Sequence, residues 1–172
     1  DDYTGAFEIV EHLIKSGYKK IAHFAGPREI SVGRNRLQGY LDALKKYRIE
    51  IDNDIIIHDG FREDHGVESF QLLMKRNKKP DALFCVNDVV AFGAYNSIRS
   101  FGFRIPDDIA VAGFGNILIS NYMDPPLTTV NQSPFVIGKN AAQMILKQIT
   151  KENNNTQECK IFKTELIIRE ST

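Results

Sequence analysis

The sequence predicts an α/β domain, a mainly parallel, doubly wound sheet with helices on both faces and three layers in all. Three observations point there. Helical and strand periodicities alternate along the chain, the predicted strands include short apolar runs of the kind buried on both faces, and turn or helix-capping residues follow them. The 172 residues, 42% hydrophobic and 26% charged, suit one globular domain or one lobe of a larger one. A compact fold of this size hides roughly 70% of the surface that its unfolded chain exposes, so a core needs neither metal nor disulfide.

Ala6, Ile9, Val10, Leu13 and Ile14 share one helical face, and Ser16-Gly17 ends that helix. Lys20 to Ala25 is a strand stopped by Gly26-Pro27, and Leu37, Tyr40, Leu41 and Leu44 mark the next helix. The β-branched run Ile55 to His58 precedes a helix with Asp64 as its cap and Val67, Phe70 and Met74 inward. Leu83 to Val86 is a buried strand, with Asp88 as cap of a helix whose face is Ala91, Ala94, Tyr95 and Ile98. Past the turn at Pro106, Ile109 to Ala112 and Leu127 to Val130 are the fourth and fifth strands, with a short helix over Asn116 to Tyr122 between them. Ser133 caps a last helix with Pro134 at its first position and Val136, Ile137, Ala141, Met144 and Ile145 on its apolar face. A polar loop over Lys151 to Glu158 leads to a strand over Ile161 to Ile168, at or near a sheet edge. Asn154-Asn155-Thr156 inside that loop fits a glycosylation acceptor but reads as linker. Cys85 lies in an apolar strand and Cys159 in a polar stretch, so no disulfide is expected.

Ligands of open α/β sheets bind beyond the carboxyl ends of the strands. The exits here are Gly26-Pro27-Arg28, Asp59-Gly60-Phe61, Asn87-Asp88, Gly113-Phe114-Gly115-Asn116 and Asn131-Gln132. Amides, carboxylates, an arginine and aromatic faces are a recognition set for a small polar molecule. Catalytic readings have less support. No Gly-x-Ser-x-Gly elbow occurs, His58 and His65 have no metal-ligand spacing and read as solvated loop residues, and Asp59 and Asp88 are explained by turn or cap chemistry. His12 and His23 read as structural. Leu118 stands where a dinucleotide fingerprint begun at Gly113 needs its third glycine, so no nucleotide cofactor and no metal is expected. With 22 basic against 22 acidic residues the chain lacks the field that draws a protein to phosphate backbones. No apolar run approaches the roughly 20 residues of a membrane span, and the chain reads as a soluble, cytoplasmic protein.

Several segments resemble the effector-binding core of the LacI/GalR (lactose/galactose repressor) family of bacterial transcription regulators. They include Tyr3-Thr4-Gly5-Ala6, Gly17 to Ala22, Ala25-Gly26-Pro27, Arg36-Leu37-Gln38-Gly39-Tyr40, Asn87-Asp88, Ile105 to Val111, Pro126 to Val130 and Thr164 to Thr172. The resemblance covers the C-terminal half of such a regulator, without its DNA-binding headpiece. It implies a periplasmic-binding-protein-like fold of two lobes, in which a small molecule in the cleft, a sugar or related metabolite, alters the spacing of DNA-reading headpieces. Residues 1–132 would then be the C-terminal lobe, 133–158 a helix and loop belonging to the N-terminal lobe, and 159–172 the terminal strand. The resemblance further implies binding without turnover, with Arg36 clamping the effector, Phe61 stacking on it, and Asn87 and Gln132 as polar contacts. Many relatives carry an aspartate where this chain has Gly115 followed by Asn116, so Asn116 or Asp59 is a further candidate contact. The family forms dimers, which implies a homodimer interface including Tyr95, Tyr122 and Met123, with DNA reached only through the missing headpiece. The alternative reading is a solute-binding protein of a sugar transporter, with the same fold and cleft.

Overall fold

The computed structural model describes residues 1–150 and 159–172, and the polar loop with its glycosylation-like triplet lies outside them. In chain order the elements are α1 (Asp2–Lys15), β1 (Ile21–Ala25), α2 (Ser31–Lys46), a 3₁₀ turn (Asn53–Ile55), β2 (Ile56–His58), α3 (Glu63–Lys75), β3 (Ala82–Cys85), α4 (Asp88–Ser100), β4 (Ala110–Ala112), a second 3₁₀ turn (Leu118–Asn121), β5 (Thr129–Asn131), α5 (Pro134–Ile149) and β6 (Glu165–Ile167). Strands β2, β1, β3 and β4 are parallel neighbours in that order. Parallel bridges from Ala112 to Thr128 and from Gly115 to Asn131 set β5 beside β4, and β6 pairs with β5 antiparallel. The predicted parallel sheet is therefore present, with one antiparallel strand added at its far edge.

Alternate residues of each strand enter opposite cores, as strand geometry demands. Ile21, Ile56, Phe84 and Ala110 pack with Ala6, Ile9, Leu13, Tyr40 and Leu44 beneath α1 and α2. Phe24, Ile57, Leu83 and Val111 pack with Phe70, Leu73, Ala94 and Ile98 beneath α3 and α4. Both faces are covered, which is why the strands read as unbroken apolar runs. The close seat of α3 on α4 depends on two glycines, since a Cβ at Gly66 would strike the Val90 carbonyl and one at Gly93 the Glu63 carbonyl.

Several local expectations are corrected. The N-cap of α4 is Asn87, whose side chain accepts from the Val90 amide at 2.7 Å, and Asp88 is the first helical residue with its carboxylate turned inward. The cap position of α3 falls on Arg62, and Asp64 pairs with the Arg62 guanidinium instead. Ser133 occupies the cap position of α5 in the left-handed region, at φ 50°, but its side chain caps nothing; its amide donates to Asn131 Oδ1 at 3.0 Å. His58 ends β2 and His65 sits in the first turn of α3, both partly buried, so neither is a solvated loop residue. The terminal strand is limited to three residues, because only those face β5.

Helix α5 stands apart. None of its residues is buried, and Phe135 (83% exposed) and Ile149 (71%) face open space. The periodicity of its sequence is amphipathic, yet no other described element covers its apolar face.

Candidate functional site

The site forms where the C-terminal ends of β1, β3 and β4 meet the N-terminal turns of α1 and α4. Arg36, in the second turn of α2, is only 4% exposed and points across these strand ends. Its Nε and Nη2 both donate to Asp2 Oδ1, at 2.8 and 2.6 Å, Nη1 donates to the Val86 carbonyl, and Nη2 also reaches Gln132 Oε1 at 3.3 Å. The guanidinium lies flat on Phe114, with Cζ 3.6 Å from the ring centroid. Burial lowers the Arg36 pKa and Asp2 opposes that shift. A guanidinium has five N–H donors, so one Nη1 hydrogen has no partner among the described residues. Glycine at position 5 lets α1 come close to the Phe114 ring, which a Cβ would strike.

Asn87 and Gln132 line one cleft of about 460 Å³. Its other polar group is Asp88, while Val89, Phe114, Ile117 and Ile137 make apolar walls. Such a lining suits a small molecule with an apolar face and hydroxyl or ring-nitrogen edges. As it caps α4 through its oxygen, Asn87 holds the Phe61 carbonyl through Nδ2, at 2.9 Å. The Phe61 ring is partly buried against Gly26 and Val86, beside the carbonyl that Arg36 grips. Arg36, Phe61, Asn87 and Gln132, spread over nearly a hundred positions, are thus joined in one network of contacts.

The two further candidates are not brought into the cleft. Asn116 gives its side-chain oxygen to Arg169 Nη2, at 2.7 Å, and Asp59 lies against His65 and accepts from the Gly60 amide. The cleft-facing position is Gly115, with φ 135°, where a Cβ would have ordinary contacts near 3.6 to 3.7 Å with Asp88 and Gln132. The space for a carboxylate exists, but the backbone conformation favours glycine.

Sequence reasoning missed Asp2 as the partner of Arg36, because an acid in a first helical turn looks like a dipole or cap residue. It also missed Asp88 as an anchor. Asp88 accepts from Thr129 Oγ1 and from the Ile117 amide, at 2.5 and 2.9 Å, tying α4 to β5 and to the loop after β4. Burial raises its pKa, and these hydrogen bonds partly counter the rise.

Of the three expected interface residues, Tyr95 and Met123 lie in the core beneath α4, 3% and 6% exposed, and Tyr95 Oη donates to the Pro125 carbonyl at 3.1 Å. Their aromatic and thioether character serves packing within this chain. Tyr122 is 78% exposed, beside Leu118 and Ile119, which are also exposed.

The chain matches the family model of the periplasmic binding protein-like domain over residues 10–172. It is 36% identical over its whole length to the HTH-type transcriptional repressor CytR of Escherichia coli K12, of which it covers 50%. Its backbone superposes with a TM-score of 0.94 on the transcriptional regulator CelR in its cellobiose complex, at 32% identity, over all of this chain and 52% of that one. A TM-score of 0.90 relates it to the lac repressor dimer bound to operator and the anti-inducer ONPF, at 26% identity, over all of this chain and 59% of that one. The chain spans about half the length of the curated relatives it matches.

Proposed function

The chain belongs to the periplasmic binding protein-like domain family, in the branch formed by the effector-binding cores of LacI/GalR regulators, and from that premise we propose that it senses a small metabolite for a bacterial transcription regulator. The observation that carries this reading is the buried Arg36 fork, stacked on Phe114 and linked to Gln132, directly behind these two residues of a cleft with both amide and apolar walls. The effector class that fits is a sugar or a related ring-bearing metabolite: polar edges meet Asn87, Gln132 and the remaining Arg36 hydrogen, and an apolar face meets Phe61 or the cleft wall. A transporter's solute-binding protein would share this geometry, but the relatives named are regulators over the full length of this chain.

Coupling follows from where the contacts sit. Gln132 lies directly between β5 and α5, so a ligand that takes over its hydrogen bond acts at the joint between sheet and helix. On this reading residues 1–132 form one lobe, α5 docks its bare face in a second lobe supplied by the rest of the parent, and 159–172 return to the first. A ligand gripping both lobes shifts their relative orientation by its difference in affinity for the two arrangements. The parent protein acts as a homodimer and reaches DNA through a headpiece outside this chain.

Calorimetry on the full-length protein against a panel of sugars and nucleosides tests the reading. Arg36→Ala should weaken binding of the responsive ligand by about 2 to 5 kcal/mol, the range for truncating one partner of a buried charged contact. Because Arg36 is also structural, Gln132→Ala is the second variant, expected to weaken binding without loss of fold. Unchanged affinity in both variants rejects this site, and conversion of the ligand to product rejects a pure sensor.

A further inference from the structure

Away from the cleft, a groove of about 450 Å³ runs between α2 and β2, which ends the sheet on that side. Leu37, Leu41 and Ile56 contribute its apolar surface, and Arg28, Arg34 and His58 its cationic and donor groups. Both guanidiniums are set in place by neutral partners. Arg28 Nη2 lies 2.9 Å from His58 Nε2, and Arg34 Nη1 donates to the Glu29 carbonyl at 2.8 Å and to the Arg28 carbonyl at 3.4 Å. An arginine can only donate, so His58 accepts through Nε2 and stays neutral in this arrangement. Burial and then the Arg28 charge lower its pKa, and the Gly26 backbone and the Glu29 charge oppose that shift only in part.

Arg62, Arg99 and Arg104 are paired with Asp64, Asp124 and Asp108, whereas Arg28 and Arg34, like the exposed Arg48 and Arg76, form no ion pair among the described residues; what sets Arg28 and Arg34 apart is that they share one groove. Asp52 and Asp54, near the Asn53 end of the groove, are matched by Lys78 at 2.8 and 3.2 Å. No aspartate or glutamate is among the residues lining the groove. Two oriented forks without a carboxylate in ion-pair contact, beside the apolar surface of Leu37, Leu41 and Ile56, match an anion that has a planar or carbon-rich body, although the Glu29 charge acts on His58 from nearby.

We propose that this groove is a second ligand site, independent of the cleft, for a small organic phosphate whose oxyanion bridges Arg28 and Arg34 while its carbon body lies on Leu37 and Leu41. The test is a titration of the full chain, at constant ionic strength, with inorganic phosphate and with phenyl phosphate, read by amide and arginine side-chain NMR shifts. Saturable shifts are expected at Arg28, Arg34 and His58 with both probes, with phenyl phosphate binding several-fold more tightly. Arg28→Gln combined with Arg34→Gln should weaken both probes by at least about tenfold, and Leu41→Ser should remove only the advantage of phenyl phosphate. These side chains are on the surface or partly buried, and circular dichroism checks that each variant stays folded. Three outcomes overturn the proposal: shifts that do not saturate, saturable shifts that persist in the double variant, or shifts confined to Asn87 and Gln132 in the cleft.

Discussion

His23 shows how one residue can tie stability to pH. It lies at the centre of the sheet face beneath α2, stacked between Tyr40 and Phe84 with ring centroids 4.9 and 4.6 Å away, and Nδ1 is 2.9 Å from the Phe84 carbonyl. Complete burial drives its pKa down to about 3. Between that value and the ordinary 6.5 the unfolded chain binds the extra proton, so the stability held at neutral pH is lost as pH falls through this window. The loss amounts to at most about 5 kcal/mol by pH 3. Urea denaturation at successive pH values should show a steep decline that His23→Phe flattens; equal slopes in the two proteins would exclude the histidine as the cause. That His23 is structural was readable from its apolar run. Its stacking partners were not, because Tyr40 and Phe84 belong to different elements.

At the scale of elements, the helix faces were plain in the sequence because burial against a sheet requires a stripe at helical period. The caps were less so: Asn87 and Asp88 are adjacent, both capable, and only the inward turn of the second carboxylate decides between them. Contacts between helices were not legible either. Nothing in the stretch Phe92 to Ala94 reveals that Gly93 touches the Glu63 carbonyl. Gly93→Ala should therefore cost about 1 to 3 kcal/mol, the usual range for overpacking, measured as a drop in the free energy of urea unfolding. A cost near zero would mean that α3 and α4 can separate without penalty. The bare face of α5 is the opposite case, a stripe that the sequence displays and that no other described element covers.

For the whole molecule, the proposed homodimer has one exposed aromatic on offer among the three expected residues. Tyr122, with Leu118 and Ile119, forms an apolar patch on and just after the 3₁₀ turn that follows β4, while Tyr95 and Met123 are buried in the core. Tyr122→Glu in the full-length protein should raise the dimer dissociation constant at least about tenfold, equivalent to about 1.4 kcal/mol, by sedimentation equilibrium. An unchanged constant removes this turn from the interface. If the proposed two-lobed arrangement holds, this chain by itself should bind effector more weakly than the full-length protein does, which calorimetry on both would check.

The sequence by itself determined the alternation of strand and helix, the parallel sheet and the rim at which polar residues gather, because periodicity and strand exits are local properties. Tertiary structure alone decided how those residues are used. Arg36 is held by Asp2, Gln132 and the Val86 carbonyl, Asn116 is turned away by Arg169, and Tyr95 is drawn into the core. Each of these pairings joins positions about 30 or more residues apart, and which polar group meets which is fixed only when burial drives most donors and acceptors near the rim to find partners.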